Sequence, residues 1–388
     1  MFSSRVPGSL NLNRLAAAVA AHRAAGHALL DLTVTNPTAA GIRYADDTLA
    51  AMAARRAHLY QPEPFGLGTA RRAVAGDYAR RGISVAEGRI VLSSSTSEAY
   101  SLLFKLLCAP AGDEVLVPAP SYPLFDHLTQ LDGVGSRSYA LEYHGRWELD
   151  IDSVDAAWTE RTRAVLAVSP NNPTGSLLSS AEFSALHARC AERGTACIVD
   201  EVFADYPLGG SAGPVTSIAG PDCLTFYLGG LSKSAGLPQV KLGWIRIDGP
   251  DDLVAGALDR LELICDTYLS VSTPVQVAAP VLIEHGAQIR EQIQQRIQTN
   301  YAALKAATTA RPSVQLLAAE AGWSAVVRVP SRWSEEDLVV ALLTERGVLV
   351  HPGFFFDFPH EAFLVLSLLP DPAVFEDGLA RVMEHVVA

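Results

Sequence analysis

The chain has 388 residues, 49% of them hydrophobic and 19% charged, with a formal net charge of −12. That balance belongs to an ordinary globular protein, and the length favours two domains over one simple core. The negative charge argues against nucleic acid and anionic membrane surfaces as partners, because both demand a positive field.

The Ala-rich stretch Leu15 to Ala21 stops at His22 and Arg23 and continues as an amphipathic helix, so it is not read as a secretory leader. No apolar run reaches the roughly 20 residues that a membrane helix needs. "RIVLSSS" (89–95) reads as a strand, and "SEAYSLLFKLLCAP" after it has helical apolar spacing, ended by Pro110. "DEVLVPAP" and "RAVLAVSPNNPTG" are strands, the second ending in a turn, and "SAEFSALHARCAERG" is a helix closed by glycine. "ACIVDEVFADY", "CLTFYLGG" and "VKLGWIRI" supply further strands. Strand and helix signals that alternate in this way imply an α/β fold, with a mainly parallel central sheet and helices on both faces. The continuous apolar runs suit a sheet buried on both faces.

From about Pro280 the texture changes. A polar helix near 289–307, the strand "WSAVVRVP", the helix "SEEDLVVALLTERG", then "VLVHPG", "AFLVLSLL" and a last helix read as a smaller α+β domain. "LLDLTVTNPT" is too isolated to open the main sheet, so the first residues are expected to join the small domain. The expected division is 46–284 for the large domain, and 1–45 with 285–388 for an N-terminal arm and small domain.

Five cysteines, Cys108, Cys190, Cys197, Cys223 and Cys265, form no C-x-x-C pair. They read as free thiols of a reducing, cytoplasmic compartment, with no zinc site and no metal.

In parallel α/β sheets, ligands gather at the carboxyl ends of the strands. The polar residues found there are Ser95, Thr96 and Ser97, then Ser121 and Tyr122, Asn171 and Asn172, Asp200, and Ser232 with Lys233. Ser95 to Ser97 open a helix, and two readings stay open: a plain N-cap, or a phosphate cradle built on free helix N–H groups. Asn172 before Pro173 has an ordinary turn reading, Tyr122 an ordinary core reading, and Asp200 an ordinary cap reading. Asp200 could instead hold a cationic ring nitrogen.

Lys233 is the sharpest feature. The chain has four lysines, and two of them, Lys233 and Lys241, lie in "GGLSKSAGLPQVKLGW" (229–244). Lysine is rarely buried. A desolvated lysine near another cation loses basicity and becomes a nucleophilic amine suited to a Schiff base. A solvated loop lysine is the bland alternative.

Together these stretches resemble the pyridoxal-phosphate (PLP) enzymes of fold type I, specifically the class I/II aminotransferases. "YQPEPFGLGTAR", "SSSTSEA", "GDEVLVPAPSYP", "SPNNPTG", "VDEVFADY" and "LSKSAGLPQVKLGW" match that family's segments in order. The resemblance implies a PLP-transferase fold and a PLP-dependent transaminase that works by ping-pong half-reactions. Lys233 would form the Schiff base and shuttle the proton, Asp200 would pair with the pyridinium nitrogen, and Asn172 would bond the ring oxygen. Tyr122 would stack on the ring, while Ser95, Thr96, Ser97, Ser232 and Lys241 would serve the phosphate. Tyr60 resembles a tyrosine that reaches the neighbouring subunit's phosphate, which implies a homodimer with shared active sites.

Four departures stand out. Lys241 replaces an arginine and loses its bidentate fork. Gly230 replaces a phosphate-binding serine. Phe203 replaces a tyrosine that supports the ring oxygen. Val365 in "AFLVLSLLP" occupies the place of the arginine that clamps the substrate carboxylate, and no arginine lies between Arg346 and Arg381. Substrate contacts are therefore expected from Asn36, Arg5 and Phe354, with Arg328 as another candidate clamp, or else the substrate lacks an α-carboxylate. Phe354, Phe355 and Phe356 suggest an apolar pocket. A PLP lyase or decarboxylase on the same fold is the alternative activity. An effector domain of a transcription regulator ranks lower, because the chain opens almost directly on the aminotransferase arm and is acidic.

Overall fold

The computed structural model describes residues 2–8, 11–209 and 222–387. An eight-stranded sheet forms its centre, in the order Ile90–Ser93, Gly243–Asp248, Thr225–Gly230, Ala196–Asp200, Thr162–Val168, Glu114–Ala119, Gly135–Tyr143, Trp147–Leu149. The five strands from Thr225–Gly230 to Gly135–Tyr143 run parallel, whereas Gly243–Asp248 is antiparallel to both of its neighbours. The apolar runs follow from burial on both faces. One face packs under helices Thr96–Leu107 and Asp251–Tyr268, and the other packs under Ile151–Ala157 and Ser180–Glu192.

Local chemistry fixes the ends of these elements. Ser179 and Glu182 form a reciprocal capping box that starts Ser180–Glu192. Gly133 and Gly347 close their helices in the left-handed conformation. Gly243 has another reason to lack a side chain: a Cβ there would stand 2.9 Å from the Ser95 backbone carbon. The strand can therefore press against the start of helix Thr96–Leu107.

A second sheet, in the order Gln315–Leu317, Ser324–Arg328, Phe363–Ser367, His351–Pro352, is antiparallel throughout. Leu30–Asp31 pairs in parallel with Val348–Leu349, and helix Arg14–Ala24 packs on Glu335–Arg346, so the first segment joins the C-terminal part of the chain. Helix Thr273–Thr309 runs for 37 residues with Pro280 inside it, longer than the 289–307 read from the sequence. Residue 284, the expected boundary, falls within this helix. No helix among the described residues is long and apolar enough to cross a membrane.

Glu335 ties the small sheet together. It is 1% exposed, and its carboxylate accepts the backbone N–H groups of Phe354 (2.8 Å) and Phe363 (2.7 Å). Burial raises its pKa. Glu335→Ala would strand two buried donors, and we expect it to lower the unfolding free energy by about 2–4 kcal/mol, measured by urea denaturation. An unchanged urea midpoint would refute this role. Because the folded pKa lies above the ordinary value, Glu335 contributes its stability fully at acid pH and loses it as pH rises through the elevated pKa.

Candidate active site

The parallel strands end on one edge of the large sheet. Thr162–Val168 leads into Asn171 and Asn172, Ala196–Asp200 ends on its carboxylate, and Thr225–Gly230 runs into a single helical turn, Leu231–Ser234, that carries Lys233. The cavity at this edge is about 250 Å³. It is lined by Ser95, Thr96, Ser97, Tyr122, Asn172, Asp200, Phe203, Ser232, Lys233 and Lys241, all of them expected from the sequence.

At one end, the Ser95 hydroxyl accepts the Glu98 N–H (3.1 Å), so Ser95 is the N-cap. The first intrahelical bond runs from Ala99 N–H to the Ser95 carbonyl, which leaves the Thr96 and Ser97 N–H groups without helical partners. Those donors, the Ser232 hydroxyl and the Lys241 ammonium form a cup suited to a phosphate. Lys241 sits in the left-handed conformation (φ 57°), two residues before the Gly243 contact with Ser95. Gly230 also lines the cavity, and a Cβ there would meet Leu242 O and Gly243 Cα at 3.2 Å.

Asp200 is buried. Its carboxylate accepts the Val202 N–H (3.1 Å) and the Tyr100 hydroxyl (3.0 Å). Burial pushes its pKa up to about 6, against the opposing pull of those two hydrogen bonds, and the neighbouring Glu201 adds to the rise. Glu201 is itself buried and paired with Arg81 at 3.1 Å.

The Lys233 amine lies 4.9 Å from the Trp323 ring centroid and 5.6 Å from that of Phe203. The Tyr206 hydroxyl anchors the Lys233 carbonyl (2.5 Å). Burial brings the Lys233 pKa down to about 8, with Asp200 opposing the change. The Asn172 amide oxygen accepts the Ser324 hydroxyl (3.3 Å).

The remaining expected residues lie elsewhere. Tyr60 is 77% exposed and borders a shallower depression near Tyr268. The Asn36 amide is committed to capping Pro37–Ala39, accepting the N–H and hydroxyl of Thr38. Arg5 lies against Gly133 beside a surface depression lined by Gln130 and Glu114. Phe354 is half exposed and packs edge-on against Phe355. Arg328 ends its strand exposed to solvent, and Val365 is 1% exposed in the core. The sequence reading missed Thr35, Trp323 and Ser324, which reach the cavity from the N-terminal and C-terminal segments, and Tyr100, which holds Asp200. A buried tyrosine hydroxyl needs a partner, so Tyr100 alone carried a usable signal.

The sequence profile of aminotransferase class I and II matches residues 28–379. The chain belongs to this family. Its curated relatives include the glutamate–pyruvate aminotransferase AlaA of Haemophilus influenzae, 27% identical over 65% of this chain and 63% of that protein. The alanine aminotransferase of Mycobacterium tuberculosis is 27% identical over 89% of this chain and 83% of that protein. The chain thus aligns with somewhat under two thirds of the length of AlaA. Alanine aminotransferase from Pyrococcus furiosus superposes with a TM-score of 0.89 at 21% identity, covering the whole of both chains. An Escherichia coli aminotransferase gives 0.87 at 23% identity, covering 100% of this chain and 98% of that one. At such identities the superpositions establish the fold alone.

The class I/II aminotransferase family uses PLP, and the cavity of this member suits that group. It offers a buried amine of lowered basicity with no ion pair among the described residues, the Asp200 carboxylate in the same cavity, and a cup of free N–H groups. Among the described residues, no group of three His, Cys, Asp or Glu side chains could hold a metal ion.

Tyr100 is a positioning residue for Asp200. Tyr100→Phe removes a hydrogen bond that holds the carboxylate ionised, so the Asp200 pKa should rise. A bond of this kind to a charged group is worth about 1.5–3 kcal/mol, so we expect a loss of about 10- to 100-fold in kcat. The acid limb of the pH–rate profile should move to higher pH, and an unmoved limb would refute the assignment.

Proposed function

We propose that the protein is a PLP-dependent transaminase that moves an amino group from a donor to a keto acid or aldehyde in two half-reactions sharing one cavity. The carrying observation is the lowered basicity of Lys233 in the cavity that also holds Asp200. PLP, when bound, would supply an electron sink for negative charge at the amine-bearing carbon. Lys233 is the amine that would bond the cofactor's aldehyde. Once released, it takes and returns the proton of the amine-bearing carbon. Asp200 would hold the ring nitrogen in its protonated state. The Thr96 and Ser97 N–H groups, with Ser95, Ser232 and Lys241, would hold the phosphate, Asn172 would serve the ring oxygen, and Tyr122 would pack on the ring. Phe203 has no hydroxyl to offer that oxygen, which would leave Asn172 to serve it.

A donor panel tests the reading by cofactor absorbance. An amine donor should bleach the PLP band, and a carbonyl acceptor should restore it. Release of ammonia or carbon dioxide without an acceptor would favour the lyase or decarboxylase alternative instead. Alanine and glutamate belong in the panel, because the relatives' names mention alanine, glutamate and pyruvate.

The working unit in this proposal is a homodimer built from the large domain at 46–284 and the arm plus small domain at 1–45 and 285–388. The exposure of Leu59 and Tyr60 outside their own cavity supports a role for Tyr60 at a partner's phosphate. Mixing inactive Lys233→Ala and Tyr60→Ala proteins should then restore activity through hybrid dimers. If mixing restores none, Tyr60 is not shared.

A further inference from the structure

A substrate carboxylate entering this cavity would need a cation, because a half-apolar pocket does not replace its hydration. The only basic side chains that line the cavity among the described residues are Lys233 and Lys241. If the proposed transaminase reading holds, both are committed. Lys233 bonds the cofactor, and Lys241 stands at the phosphate end, tied there by the Gly243–Ser95 contact two residues further on. Residues 210–221 contain no lysine or arginine.

The small sheet brings no cation into the cavity either: Arg328, on the face of Ser324 and Val326, ends its strand exposed to solvent and does not line the cavity. Side chains of the sheet alternate between faces. Ser324 lines the cavity, so Val326, two residues on, shares its face, as do the cross-strand partners of Val326, namely Val365 and through it His351. Val326 and Val365 are closely buried in one cluster with Phe356 and Phe358. His351 packs on Phe355 and Phe356 at ring separations of 5.9 and 5.8 Å, and burial lowers its pKa, which disfavours its charged form. The other groups offered to a substrate are uncharged, among them the Trp323 ring and the Thr35 hydroxyl.

We infer that the amino donor is a primary amine whose amine-bearing carbon carries no carboxylate, with its apolar substituent held against Trp323. Because one cavity serves both half-reactions, the carbonyl acceptor is likewise an aldehyde or ketone without an adjacent carboxylate. The exchange is balanced: R–CH2–NH2 and the carbonyl acceptor give R–CHO and the acceptor's amine. The nitrogen and two electrons pass together, the amine carbon's proton travels by way of Lys233, and no outside oxidant is needed.

The test uses the PLP-loaded, full-length protein and matched donors: 2-phenylethylamine against phenylalanine, and 3-methylbutylamine against leucine, with alanine and glutamate alongside. The rate of cofactor bleaching per unit concentration should be at least tenfold higher for each amine than for its amino acid. Equal or faster reaction of the amino acids overturns the inference. Binding is read separately by calorimetry with tert-butylamine and 2-aminoisobutyrate, which have no hydrogen on the amine-bearing carbon. The amine should bind at least tenfold more tightly, and tighter binding of the carboxylate overturns the inference. If no donor bleaches the cofactor but that binding preference stands, the transaminase reading fails while the assignment of a carboxylate-free ligand survives.

Discussion

Lys233→Ala should abolish borohydride fixation of PLP on the protein and lower kcat by about 10³-fold or more, since a positioned proton-transfer group alone contributes about 10²–10⁴-fold. The whole arrangement converges on this amine. It follows a fully buried strand, its backbone is held by Tyr206, its flanks are the rings of Trp323 and Phe203, and burial lowers its pKa to about 8. A neutral amine attacks an aldehyde and an ammonium does not, so cofactor loading of the apoprotein should rise with pH and level off above about 8. The stability linkage has a definite sign. A depressed lysine pKa means that the stability associated with Lys233 is complete above its ordinary value of 10.5 and is lost as pH falls through about 8. Lys233→Met, neutral at every pH, should therefore raise the Tm of the apoprotein at pH 7. Undiminished borohydride labelling in the alanine variant would move the Schiff base to another residue.

Much of the cavity was legible because its residues follow strands whose apolar runs announce themselves. Asp200 ends "ACIV", Asn172 follows "AVLAV", and Lys233 follows "TFYLGG". A parallel sheet must collect such residues on one edge, whatever the rest of the chain does. Other contributions were hidden for specific physical reasons. Trp323 and Ser324 come from a segment more than 80 residues beyond Lys233, and only the packing of the second sheet against the first brings them near it. Thr35 depends on a two-residue strand paired with Val348–Leu349, too short to leave a periodic signal. Asn36, a neighbour of Thr35, carries an amide that suits a substrate contact, but that amide is spent on its own turn. The long helix was underestimated because Pro280 and the polar face break its pattern, although the helix continues through both. The antiparallel direction of Gly243–Asp248 could not be read from its composition, since an interior strand is apolar in either direction.

Asp200→Asn should reduce kcat by about 10²–10³-fold, the usual cost of losing one preorganised charge beside a reacting centre, while leaving the phosphate cup intact. Asp200 is 8% exposed, and burial holds its pKa up at about 6, so at neutral pH it is mainly ionised yet poorly solvated. A cation brought into contact with it gains the full benefit of an anion that water does not screen, and the pKa of the carboxylate then falls. Two hydrogen bonds, from the Val202 N–H and the Tyr100 hydroxyl, fix the carboxylate beforehand, so little reorganisation is needed when the ring nitrogen arrives. An amide at this position keeps the shape and can accept the Tyr100 bond, but it carries no charge. The defect should therefore lie in kcat and not in cofactor affinity, with a Kd for PLP within about threefold of the wild type. A cofactor analogue with a permanently alkylated, positively charged ring nitrogen should recover part of the lost rate in Asp200→Asn and give no gain in the wild type. If the variant loses PLP affinity in proportion to kcat, or the charged analogue restores nothing, Asp200 acts by holding the cofactor in place and not by keeping its ring charged.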